Sequence, residues 1–94
     1  MKYSLQIDSF LERAAQDARL LPSHLSLFMA IFYYRPAHIA TDSFQVCRKD
    51  LMRFARIKSI VTYHKCMSEL VEYGYIGYSP TYNRFLASQV CIKL

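Results

Sequence analysis

Two glycines in 94 residues leave the chain without the glycine-rich elbow or phosphate-cradling loop on which much nucleophilic and nucleotide-dependent catalysis depends. Paired carboxylates in an apolar setting and a metal-ligand cluster are missing too. The Ser, His and Asp residues therefore lack the company that makes such groups catalytic, and no enzyme activity, cofactor or small-molecule ligand is expected. His24 and His38, at a helix start and in a loop, read as ordinary polar positions. Cysteine is sparse. Cys47, Cys66 and Cys91 form no CxxC pair and have no histidine at ligand spacing, which argues against zinc and against a disulfide framework. They read as buried free thiols suited to a reducing cytoplasm. No apolar run approaches the roughly 20 residues needed to span a bilayer, and the first ten residues lack the apolar core and cleavage site of a signal peptide. The expectation is a cytoplasmic protein with no membrane partner. Acidic residues are few as well, seven against twelve Lys and Arg, for a net charge of +5. That imbalance favours an anionic partner.

Apolar side chains are what the chain has in quantity. At 53% hydrophobic and this length it builds one small domain around a single core. The first helix is expected from about Ser9 or Phe10 to Leu20, with Ser9 and Glu12 as a capping box. Phe10, Leu11, Ala14, Ala18 and Leu21 form its apolar stripe, and Pro22 stops it. A second helix opens at Ser23 and ends before Pro36. Leu25, Leu27, Phe28, Ile31 and Phe32 make it central, while Tyr33 and Tyr34 reach the surface. A loop leads to a short strand, Phe44-Gln45-Val46. A short helix from Cys47 to Ala55 follows, with Leu51, Phe54 and Ala55 facing the core and Arg48, Lys49 and Arg53 outside.

The Arg56-Ile57-Lys58 turn, with Ile57 plugging inward, gives helix-turn-helix spacing. The next helix is capped by Ser59 and closed by Gly74. Its buried stripe is Tyr63, Cys66, Met67, Leu70 and Val71, which leaves Ile60, Val61, His64, Lys65, Ser68 and Glu72 exposed and Thr62 on the border. After Gly74 the period changes from helical to alternating. Residues 75–78 and 84–93 read as the two strands of a β-hairpin, with Tyr82, Asn83 and Arg84 at its tip.

Six of the twelve basic residues (Arg48, Lys49, Arg53, Arg56, Lys58 and Lys65) fall between positions 48 and 65, opposed there only by Asp50. The acidic Glu69 and Glu72 come late in the second helix of the motif, away from the end that would meet DNA. A short basic helix, a capped helix and a strand pair are the layout of a winged helix-turn-helix, whose second helix is offered to nucleic acid. The expected class is thus α+β and mainly helical. Residues 23–94 form the winged-helix domain, and residues 1–22 an extra N-terminal helix packed on the core or on a second subunit.

Residues 44–82 resemble small winged-helix proteins of bacterial mobile genetic elements. The pieces that carry the resemblance are Arg48-Lys49-Asp50-Leu51-Met52, the segment from Ser59 to Lys65, and Glu69-Leu70-Val71-Glu72-Tyr73-Gly74-Tyr75-Ile76. The last is similar to the L-x-x-x-G-x-I ending of many bacterial winged helix-turn-helix regulators. The resemblance implies an accessory DNA-binding factor for transcription, excision or transfer.

Two uses of this layout stay open. In the first, Arg48, Lys49, Arg53, Arg56, Lys58 and Arg84 hold phosphates of double-stranded DNA, while Ser59, Ile60, Val61, Thr62, His64 and Lys65 enter the major groove and Asn83 and Arg84 lie on the wing. In the second, Ile60, Val61 and tyrosines such as Tyr34 or Tyr82 form a protein contact, and the N-terminal helix makes a homodimer.

Overall fold

A computed structural model describes residues 4–36, 43–79 and 88–93. Among these the elements run α1 (Ser4–Ala15), α2 (Pro22–Tyr34), β1 (Ser43–Val46), α3 (Arg48–Ala55), α4 (Ile60–Glu72), β2 (Ile76–Ser79) and β3 (Ser88–Ile92). The result is a small α+β domain, mostly helical, with four helices and a three-stranded antiparallel sheet. The sheet order is β1-β3-β2. Phe44 lies opposite Val90, which in turn lies opposite Tyr78. Gly77 faces Cys91 across the β2–β3 pair, and a Cβ there would lie 2.7 Å from the Cys91 sulfur. Glycine at this position makes room for the thiol.

The first helix departs from its expected bounds. It starts at Ser4, so Ser9 and Glu12 lie within it and do not cap it, and it stops at Ala15. Pro22, expected only as a stop, is the first residue of α2, where its missing N–H would have had no partner anyway. Residues 16–21 become the connection. Ala18 is exposed, and Leu11 and Leu21 are about half exposed. Of the predicted stripe, Phe10 alone is fully buried, with Ala14 partly covered. Phe10 stacks on Phe28 of α2 with centroids 3.8 Å apart and meets Tyr75 edge-on at 5.5 Å.

α1 is further tied to the far end of α4. Gly74 takes the left-handed conformation, φ +85°, and the Tyr75 N–H reaches back to the Leu70 carbonyl at 3.0 Å, closing α4 in a Schellman turn. Arg13 of α1 donates to the Tyr73 and Gly74 carbonyls at 3.2 and 3.3 Å and lies over the Tyr75 ring at 4.2 Å. It thus supplies charge and donors where helix carbonyls are left over. Asp17 accepts from the Tyr75 hydroxyl at 2.9 Å and from both Nε and Nη2 of Arg19 at 2.8 Å.

Arg19 holds the Asp17 carboxyl well below the usual carboxylate range, outweighing the burial that raises it; the Tyr75 hydroxyl adds to the lowering. A depressed folded-state pKa contributes stability above the unfolded value of about 3.9, and the contribution is lost as pH falls through and below it. Asp17→Asn is therefore expected to lower the Tm at neutral pH and to flatten its decline below about pH 5, in thermal scans across pH.

His24 is a second correction. It is buried, not a surface polar residue. Its Nδ1 accepts from the Leu21 N–H at 2.8 Å, which fixes the hydrogen on Nε2 and leaves that nitrogen to donate to Glu69 Oε1 at 2.8 Å. One ring caps the start of α2 and reaches across to α4. The cysteines also differ from expectation. Cys66 is buried, Cys91 is half-buried and Cys47 is exposed; all three are free thiols. Val71 and Phe54, both expected inside, are 39% and 42% exposed. Phe54 stacks on Tyr33 at 4.8 Å on the outside of the domain. No helix among the described residues is long and apolar enough to cross a membrane.

Candidate nucleic-acid interface

The two helices that carry most of the predicted site, α3 and α4, form where they were expected. α3 buries Leu51 and Ala55, so Lys49 and Arg53, one turn apart, stand on its outer side. Arg53 pairs with Asp50 at 3.0 Å, and the neighbouring Tyr34 hydroxyl, followed by Asp50, holds its guanidinium above the ordinary arginine pKa. Arg48 leans along α3 toward the Met52 sulfur at 3.8 Å.

α3 ends on Arg56, in the left-handed conformation with φ 63° and ψ 32°. The Ile57 N–H bonds back to the Met52 carbonyl at 3.0 Å, the same closure that Gly74 gives α4, and Ile57 is buried beneath it. Left-handed backbone is costly for a residue with a Cβ. Arg56→Gly is expected to raise the unfolding free energy by about 0.5–1 kcal/mol, read as a higher urea midpoint at unchanged slope.

Lys58 then leads to Ser59, whose hydroxyl accepts from the Thr62 N–H at 3.2 Å and caps α4. Tyr63, Cys66, Met67 and Leu70 turn inward. Burial pushes the Tyr63 phenol above its usual pKa, with Tyr78 beside it adding to the rise. The opposite side of α4 carries Val61, His64, Lys65 and Ser68, all exposed. Ile60 and Thr62 flank that line in the first turn.

All eleven predicted contact residues between Arg48 and Lys65 are exposed. Six are cations, and among the described residues Lys49, Arg56, Lys58 and Lys65 have no ion-pair partner. Arg53, Arg56, Lys58 and the first turn of α4 are neighbours along the turn. Arg48 and Lys49 begin at the far end of α3, about 10 Å along its axis. Positive charge thus frames the N-terminus of α4, whose own dipole is positive at that end. Asn83 and Arg84 of the predicted wing lie outside the described residues, as do His38 and Tyr82.

One apolar surface escaped the sequence reading. Leu25, Met29 and Tyr33 recur every four residues on the outer side of α2, exposed, and Phe54 of α3 extends the strip through its stack on Tyr33. The signal was present as an i, i+4, i+8 series in a helix without a single charge. Among the described residues, no cluster of His, Cys, Asp or Glu could hold a metal ion. No protein-family model, curated protein or solved structure matches this chain.

Proposed function

We propose that the protein is a cytoplasmic winged-helix DNA-binding factor, an accessory regulator of transcription or of mobile-element excision or transfer. α4 enters the major groove, and the β2–β3 pair forms the base of the wing. The observation that carries this reading is the surface from α3 through the turn to α4, which carries six exposed cations and leads into a capped helix start. The element order and the pairing of β1 with β3 beside β2 suit a winged helix, in which a strand after the scaffold helix joins the C-terminal hairpin.

Binding built on phosphate contacts should fall linearly with salt on a log–log plot, with a slope near −4 to −5 for about five neutralised phosphates. Anisotropy titrations of a short duplex across a salt series measure it, and an absence of binding at low salt would overturn the proposal. Arg56→Gly, although more stable, is expected to bind duplex more weakly.

The strip of Leu25, Met29, Tyr33 and Phe54 favours a second reading, an assembly module. A helix face without charge can meet a copy of itself at no electrostatic cost, and such a contact would join two DNA-binding units. Light scattering over a concentration series tests it: a monomer throughout would remove this reading.

A further inference from the structure

We infer that Val61, flanked by Ile60, reads the C5-methyl groups of thymine in the major groove, an inference that rests on the DNA-binding reading above. At 78% exposure Val61 is the most exposed large apolar side chain among the described residues. It stands in the first turn of α4, opposite the buried line of Tyr63, Cys66, Met67 and Leu70. Packing therefore gives no reason for valine there, and helix propensity gives none either, because a β-branched side chain is a poor choice for an exposed helix position.

The charges around it decide what can cover it. Lys65 lies one turn on, about 6 Å away. Lys58 precedes the cap, and His64 flanks the same line. Ser59 fixes the helix start, so Val61 is presented in a set direction. An apolar protein partner laid over this spot would desolvate those lysines, and the Val61-Ile60 pair is far smaller than a stable protein interface needs. A DNA groove matches both features at once. Phosphates along its rims take the cations, and on its floor the one apolar group that distinguishes the bases is the thymine methyl. Lys65 and His64, one turn further on, then reach neighbouring base edges or phosphates.

The test compares two alternating duplexes of equal length, dA-dT and dA-dU. They present the same hydrogen-bonding groups in the major groove and differ in the methyl. At one low salt concentration the wild-type protein is expected to bind the thymine duplex about fourfold more tightly for each methyl reached, the factor that corresponds to ~0.8 kcal/mol per buried methyl-sized group. Val61→Ser, an exposed change whose folding is checked by circular dichroism, is expected to bind both duplexes alike, with the salt slope of the wild type. Equal wild-type affinity for the two duplexes, or a methyl preference that persists undiminished in Val61→Ser, would overturn the inference and leave the DNA-binding reading standing. Wild-type protein that binds neither duplex would remove both.

Discussion

Phe10→Ala is expected to lower the unfolding free energy by about 3–5 kcal/mol, the range for removing a buried aromatic ring and leaving its cavity. Phe10 is fully buried, stacked on Phe28 and edge-on to Tyr75, and each well-placed aromatic pair adds about 0.5–1.5 kcal/mol beyond the area it buries. A domain of this size has about 5–15 kcal/mol in total. The substitution would therefore remove at least about a fifth of it. Urea denaturation followed by far-UV circular dichroism measures the loss, with Leu11→Ala as the control. Leu11 is half exposed on the same helix, and its truncation is expected to cost under about 1 kcal/mol. If the two variants lost equally little, α1 would be an appendage and not part of the core.

The double variant Lys58→Ala, Lys65→Ala is expected to leave stability nearly unchanged and to damage DNA binding severely. Both side chains are exposed and lack an ion-pair partner among the described residues, so folding has little to lose. Each phosphate contact contributes about 0.9 to the magnitude of the salt slope, so removing two should flatten it by nearly two. Affinity at low salt should fall by at least tenfold. A steep, unaltered slope would show that the anion is held elsewhere, and would take these two residues out of the interface. Because the comparison is of slopes, it separates lost phosphate contacts from a general loss of active protein.

How well the sequence foretold the structure depended on how local the signal was. The turn at Arg56-Ile57-Lys58, the Ser59 cap and the Gly74 stop all formed as expected, because each is written within about five residues and satisfied by backbone groups of the same segment. The surface between Arg48 and Lys65 followed from the same periodicity, since helices that bury Leu51 or Tyr63 must turn Lys49 or Val61 outward. The N-terminal helix departs from its expected bounds for the opposite reason. Ser9 and Glu12 have the spacing of a capping box, but nothing local reveals that the helix has already begun. Asp17 and Arg19 then stabilise a connection whose partner, Tyr75, lies far along the chain. His24 is the same case, since its burial depends on Glu69, 45 residues away. Phe54 misled because helical spacing predicts a face and not what covers it.

The strand order carries a consequence for how the chain acquires its shape. Among the described residues β1 has a single partner, β3, and Phe44 meets Val90 only when nearly half the sequence lies between them. Helices close through neighbours and form fast, whereas a pairing of such wide separation must first pay the entropy of closing a long loop. During synthesis on the ribosome the Ser43–Val46 segment therefore emerges with both backbone edges open and waits for the last described strand to arrive. α3 and α4 can wind in that interval, so the helices that carry the exposed cations would be present before the sheet that holds them in register.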